Sequence, residues 1–343
     1  MFLKLKYTFS LMKHIHLNGF GGVDILQIKQ SPIPVCSEKE VLIKIQSTAL
    51  NRADILQRQG KYSPPKSASQ ILGLEAAGYL LDENGKEKKK VMALLSGGGY
   101  AQYTKVHQDH IIEIPENLNF SEAASITECW LTAFMLLRFI GKLQKNENVL
   151  IYAGASGVGT AAIQLCKHYE ANAIITTSSK EKVDFCLKLG AKAGINYKQE
   201  DIQNQKQKIL EQTNGKGIDI ILDCIGAQNS ELTTNILNMD ARWILYGLMG
   251  GAKVKDFSFV PLVQKRASLI TSTLRNRDDE YKKQLVQQFC KEVLKEFSNK
   301  QFTTIIDKQY DVTWDEKGLQ NIKDAHLRME QNINIGKIVL NFK

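Results

Sequence analysis

Gly154, Ser156 and Gly159, within Asn148 to Cys166 (NVLIYAGASGVGTAAIQLC), hold the three positions of a G-x-G-x-x-G fingerprint, with serine at the second. A turn of this kind brings bare backbone N–H groups and the positive end of a helix dipole to one point. That point can hold a pyrophosphate without any cationic side chain. Gly157 and Val158 complete the turn. Alone, the fingerprint is a weak signal. Here an apolar run, Val149 to Ile151, precedes it as a buried parallel strand would, and a helical pattern from Ala161 follows. The chemistry expected of such a site is binding of a nicotinamide dinucleotide, and hence hydride transfer.

The end of the next strand discriminates between dinucleotides, because an NAD site carries Asp or Glu about 20 residues on, where it meets the ribose hydroxyl. The second strand is expected at Ala173 to Thr177, and Ser178, Ser179, Lys180 and Lys182 follow it with no carboxylate at the strand end. Hydroxyl and ammonium groups suit a 2′-phosphate, which a carboxylate would repel. NADPH is therefore expected over NADH. The alternative is that Lys180 and Lys182 are solvated helix residues in a lysine-rich chain.

The elements that must position this turn form a regular βα alternation over residues 126–266. Strands are expected at Val149 to Ala153, Ala173 to Thr177, Ala193 to Asn196, Ile218 to Asp223 and Arg242 to Gly247. Such alternation builds a doubly wound parallel sheet. Residues 12–125 are instead strand-rich and punctuated by turns. Val41, Ile43 and Ile45 alternate there, and Gly97 to Gly99 precede Tyr100 to Val106. Residues 267–343 carry helices around Glu280 to Phe297 and Asp315 to Glu330, and a last strand at Gly336 to Asn341. Residues 1–11 stand apart as an extension.

Composition narrows the class of function. The chain has 343 residues, a length suited to two domains, and its 43% hydrophobic content is ample for packed cores. No apolar run reaches the roughly 18 residues of a membrane span. The net charge of +9 comes from scattered lysines accompanied by Glu, Asp or Gln, with no arginine-rich or aromatic-interleaved stripe, so no nucleic-acid partner is expected. Six cysteines, at 36, 129, 166, 186, 224 and 290, form no CxxC pair and read as reduced, mostly buried thiols of an intracellular protein. Met1 to Val23 has lysines at 4, 6 and 13 and no acidic residue before Asp24. Two readings of it stand. Phe2, Leu5, Phe9 and Met12 share one helical face, as in a mitochondrial targeting segment, or else Leu11 to Leu17 is already the first strand of a cytoplasmic protein.

Several segments carry a more specific likeness. They are Ala49 to Tyr62 (ALNRADILQRQGKY), Ile71 to Gly78 (ILGLEAAG), Trp130 to Phe134 (WLTAF), Ile221 to Gly226 (ILDCIG), Arg242 to Gly251 (RWILYGLMGG), Ser268 to Asp278 (SLITSTLRNRD) and Asn334 to Leu340 (NIGKIVL). With the glycine turn, they make the chain resemble the zinc-free quinone oxidoreductase branch of the medium-chain dehydrogenase/reductase superfamily, from about residue 12 to the end. The resemblance implies an α/β fold, a Rossmann-type doubly wound parallel sheet inserted in a GroES-like β-rich catalytic domain, and a homodimer. Zinc alcohol dehydrogenases of that superfamily place a cysteine where this chain has Asn51 and a histidine where it has Leu74. Without thiolate and imidazole a tetrahedral zinc site is not assembled, and Glu75 is read as structural.

By the same resemblance, Gly154, Ser156, Gly157, Val158 and Gly159 would bind pyrophosphate, and Ser178, Ser179, Lys182 and Tyr197 would surround the 2′-phosphate. Thr132, Gly247, Leu248, Thr273 and Leu274 would line the nicotinamide. Asn334 and Lys337 would close over the cofactor, and Arg275 would lie near the substrate cleft. Asn51 and Tyr62 are the catalytic expectations, Tyr62 orienting the acceptor or relaying a proton, or else simply packing beside Pro64 and Pro65. The chain departs from the family at Asp82 to Lys90, a shortened loop, and at Thr127 and Cys129, where the family has proline and alanine. The function expected is NADPH-dependent, zinc-independent reduction of a quinone held between the domains. Zinc-free enoyl reduction, or service as a subunit of a larger protein assembly, remain alternatives.

Overall fold

The computed structural model describes residues 10–343, which fall into two compact units. One comprises the chain up to Leu131 together with Arg275–Lys343, and the other Thr132–Leu274. The composition reading put these divisions at 125/126 and 266/267. The differences have local causes. Thr127 and Glu128 are tied to Glu75 of the first unit, and Ser268–Thr271 is a strand of the second unit's sheet.

The first unit contains β1 (Leu11–Leu17), β2 (Leu26–Pro32), β3 (Glu40–Ala49), β4 (Glu75–Leu81), β5 (Glu87–Leu94), β6 (Tyr103–His107) and β7 (Ile111–Glu113). The second contributes β8 (Asn148–Ile151), β9 (Asn172–Thr177), β10 (Ala193–Asn196), β11 (Ile218–Asp223), β12 (Leu237–Leu245) and β13 (Ser268–Thr271). The first unit resumes with β14 (Ile306–Val312) and β15 (Lys337–Phe342).

In the first unit, β1 and β2 form an antiparallel hairpin, and a larger sheet runs β14-β15-β3-β4-β5-β7, with β6 paired to β3. Its core gathers Ile15, Ile43, Ile45, Leu50, Ile55 and Val91 with Ile338 and Leu340 of the last strand. The shortened 82–90 loop becomes a tight turn between β4 and β5. Asp82 Oδ1 accepts the N–H groups of Asn84 and Lys86, both at 2.9 Å, and Gly85 takes a φ of +77°. Met12 lies buried in β1, not on a helical face; the other residues of that expectation, Phe2, Leu5 and Phe9, lie outside the described residues.

In the second unit the parallel sheet runs β10-β9-β8-β11-β12-β13. Numbered from β8, this is the strand order 3-2-1-4-5-6 of a dinucleotide fold, which reverses direction between β8 and β11. Every residue of β8 is buried, as its unbroken apolar run implies. The sixth strand, β13, is absent from the sequence expectations, because three of its four residues are exposed and it carries no alternation. β12 also begins five residues earlier than Arg242, at Leu237. Among the described residues no helix is long and apolar enough to cross a membrane.

Candidate functional site

The residues expected to hold the cofactor in the second unit collect at one edge of its sheet, where the strands end. Gly154 and Ser156 follow β8, Ser178 and Ser179 follow β9, and Tyr197 follows β10. Gly247 and Leu248 follow β12, and Thr273 and Leu274 follow β13. In a doubly wound sheet this edge, at the point where strand order reverses, is where ligands bind.

The glycine turn is built for close approach. A Cβ on Gly154 would lie 2.5 Å from Ile175 Cβ of β9, and one on Gly159 would run into the carbonyl oxygen of Gly154. Ala153 takes a φ of +55°, so the chain turns sharply out of β8 into the helix Gly157–His168. Ser156 caps that helix, its Oγ accepting the Gly159 N–H at 3.1 Å. The first N–H groups of a helix, here those of Gly157 and Val158, have no partner within it and face outward with the positive dipole end.

After β9, Ser179 Oγ caps the helix Lys180–Leu189 by accepting the Lys182 N–H at 3.3 Å. Lys180 is paired with Asp184 at 2.6 Å. Tyr197 is 45% exposed beside the end of β9, where its N–H donates to the Thr177 carbonyl. Thr132 and Leu274 are buried, whereas Leu248 is 53% exposed. Cys224 is buried and Met249 is half exposed, although both were expected to pack.

The first unit holds a buried polar cluster around Glu75. This side chain is fully buried and takes four donors: Asn51 Nδ2 at 2.9 Å and Lys337 Nζ at 2.8 Å on Oε1, and the Glu128 N–H at 2.8 Å and Thr127 Oγ1 at 3.3 Å on Oε2. Thr127, a departure from the family pattern, thus supplies a donor that a proline lacks. Lys337 donates further to the Leu50 carbonyl and to Asn51 Oδ1, both at 2.7 Å. Burial disfavours its charge, but the Glu75 carboxylate outweighs burial and the Lys337 ammonium is held above its usual range.

This geometry revises two expectations. The three N–H donors of Lys337 are matched by three oxygens of its own unit, so its ammonium has no donor left to close over a cofactor. Asn51 is likewise committed, its amide hydrogens going to Glu75 and to the Ala49 carbonyl at 3.3 Å. It positions Lys337 and has no free donor for an acceptor. Asn334 donates to the Gly336 carbonyl at 2.9 Å.

Around this cluster lie groups that sequence reasoning missed. Asp54 accepts the N–H groups of Asn51 and Gly73, at 2.8 and 2.9 Å, and burial raises its pKa to about 6. The Asn51-x-x-Asp54 spacing is that of a capping box, which could have revealed it. Glu128, half-buried in the first turn of the helix Thr127–Phe134, is pushed up to about 8 by desolvation and by the Glu75 charge. Lys282 is buried and donates to Ser96 Oγ at 2.9 Å and to the Arg275 carbonyl at 3.0 Å. Arg275, also buried, donates to the Ser96 carbonyl at 2.9 Å and to Gln57 Oε1 at 2.8 Å, and its Cζ sits 5.3 Å from the Tyr62 ring centre. Its Nη1 has no hydrogen-bond partner among the described residues. Tyr62 is half-buried, and burial together with Glu128 raises its pKa, so the phenol keeps its proton.

A tetrahedral zinc ion does not fit this donor set. Asn51 and Leu74 offer neither thiolate nor imidazole, and the Lys337 ammonium already neutralises Glu75 where a metal would have to stand. Among the described residues, no three His, Cys, Asp or Glu side chains converge.

Comparison with known proteins agrees with this architecture. Residues 37–116 match the alcohol dehydrogenase GroES-like domain, and residues 157–291 the domain described as zinc-binding dehydrogenase. The synaptic vesicle membrane protein VAT-1 homolog of Danio rerio is 30% identical over 94% of this chain and 69% of its own length. The human quinone oxidoreductase is 27% identical over 77% of this chain and 81% of its own. A mycobacterial protein solved in complex with NADPH shares the fold with a TM-score of 0.81 and 22% identity, over 96% of this chain and 99% of that one. On these matches, and on a polar cluster built without metal ligands, the chain belongs to the medium-chain dehydrogenase/reductase superfamily of oxidoreductases, on its zinc-free quinone oxidoreductase branch.

Proposed function

We propose that this chain is an NADPH-dependent quinone reductase. The observation that carries the reading is the Lys337 ammonium bonded to Glu75 and Asn51 at the place where metal-dependent relatives hold their ion. Hydride addition to a simple ketone builds an alkoxide that needs a strong electrophile. A quinone spreads the same charge over a conjugated ring and needs only hydrogen-bond donors.

NADPH supplies the hydride when bound, and with one proton the quinone becomes a hydroquinone and the cofactor NADP⁺. Gly154, Ser156, Gly157, Val158 and Gly159 present backbone to the pyrophosphate. Ser178, Ser179, Lys182 and Tyr197 surround the 2′-phosphate, and Thr132, Gly247, Leu248, Thr273 and Leu274 line the nicotinamide. Tyr62, a phenol that keeps its proton and lies over the Arg275 guanidinium, donates to the quinone oxygen. Glu128, half-protonated at about pH 8, is of the right strength to replenish that proton near neutrality.

The test is titration of the purified chain with NADPH and with NADH, followed by cofactor oxidation with ortho-quinones, para-quinones and a simple ketone. NADPH preference with quinone but not ketone turnover is expected. Tight binding with no quinone turnover would sink the reading, and NADH preference would remove the role given to Ser178 to Lys182.

A further inference from the structure

The first unit also encloses a cavity of about 490 Å³, between the β1–β2 hairpin and residues 57–71. This volume lies within the range of small-molecule sites. None of the fourteen lining residues carries a carboxylate, an ammonium or a guanidinium. What lines it instead is aromatic and neutral-polar: Phe20, Tyr62, His14, His16, Ser31 and Ser63.

The two aromatic side chains are held in place. Phe20 lies across the bare Cα of Gly60, where an added Cβ would come within 2.9 Å of its ring, yet Phe20 remains 73% exposed. Tyr62 is backed by Arg275, 5.3 Å from its ring centre. On the polar side, His14 Nδ1 and Ser31 Oγ stand 3.3 Å apart, and the His16 ring lies 6.3 Å from that of His14 at 84°. Burial, with help from His16 and Lys29, lowers the His14 pKa, so its imidazole is neutral at pH 7.

An anion would find no countercharge here. A metal ion would find two imidazoles and no third ligand, and a saturated chain would waste the imidazoles and hydroxyls. We propose that this cavity binds a neutral, planar, oxygen-bearing aromatic compound of the phenol or naphthol class, its ring against Phe20 and Tyr62 and its oxygen on the His14–Ser31 pair. The proposal needs only first-unit residues, so it stands or falls separately from the reductase reading.

The probe is 1-naphthol, which does not exchange hydride with nicotinamide, titrated into the full chain without cofactor while the imidazole proton resonances of its six histidines are followed. Saturable shifts confined to His14 and His16 are expected. Phe20→Ala, at an exposed position that leaves the fold intact, weakens binding roughly threefold to tenfold, the worth of one aromatic pair. Naphthalene-1-sulfonate, which places an unpaired charge in the cavity, binds about tenfold more weakly or worse. The proposal is overturned if the sulfonate binds as well as naphthol, if the shifts appear on the other histidines, if Phe20→Ala changes nothing, or if no saturation is reached at millimolar naphthol.

Discussion

Replacing Lys337 by methionine tests whether the ammonium beneath Glu75 holds the first unit together. The substitution keeps the length of the side chain and removes its charge and three donors. Glu75 would then be a fully buried carboxylate without its cation, and the Leu50 carbonyl and Asn51 Oδ1 would each lose a partner. Stranding one member of a buried ion pair costs about 3–5 kcal/mol. The two further acceptors would add about 1–3 kcal/mol each if independent. They share one nitrogen with the ion pair, however, so simple addition overcounts, and a total of about 4–5 kcal/mol is expected. Glu75→Gln alone should cost about 3 kcal/mol, because it leaves the ammonium facing a neutral amide. The double variant should cost about 2 kcal/mol less than the sum, since neither charge is then stranded. Urea unfolding of the full chain, followed by tryptophan emission, gives these differences. Trp130 and Trp314 report on the first unit and Trp243 on the second, so the two transitions can be separated. A Lys337→Met cost below about 1 kcal/mol, or single costs that simply add, would refute the assignment of a buried, mutually dependent pair.

Other substitutions probe the remaining elements. Gly159→Ala drives a methyl into the Gly154 carbonyl and should abolish measurable NADPH binding by calorimetry while leaving the first-unit unfolding transition in place. Lys182→Glu puts a carboxylate beside the 2′-phosphate position; the ratio of NADPH to NADH dissociation constants should shift toward NADH by about tenfold or more. Glu128 has a folded pKa of about 8 against an ordinary 4.5, so its stabilising contribution is complete below pH 4.5 and is lost as pH rises through 8. Glu128→Gln should therefore match wild type near pH 4.5 and exceed it by a few kcal/mol at pH 8.5, at about 1.4 kcal/mol per unit less what water at the half-buried side chain screens. Urea curves at the two pH values check this, and a gap that does not widen with pH refutes it.

What the sequence made legible follows from how local each signal is. The strand, turn and helix at Asn148 to Cys166 could be read because a buried parallel strand needs an unbroken apolar run and its turn needs small residues, all within one short stretch. β13 could not, because an exposed edge strand needs neither. The early start of β12 is hidden by Asp240, which takes a φ of +60° within it, and by the register shift where the strand pairs with β11. Lys337 lies in the NIGKIVL segment that carried the family likeness, and its neighbours there say nothing of its partners, which lie at Leu50, Asn51 and Glu75. Glu128 and Lys282 escaped for the same reason. Each reads as an ordinary helix charge until tertiary contacts bury it.

The placement of β15 has a consequence for the order in which the protein is made. β15 lies inside its sheet, between β14 and β3, and carries Lys337. Every strand of the nucleotide-binding sheet has left the ribosome before β14 and β15 are synthesised, so that module can fold while its companion is still missing two strands. Through that interval β3 presents a bare edge and Glu75 has no counter-ion. An unpaired strand edge recruits other chains, so a translation stop ahead of residue 337 is expected to yield a product able to hold nucleotide yet prone to aggregate through its other half.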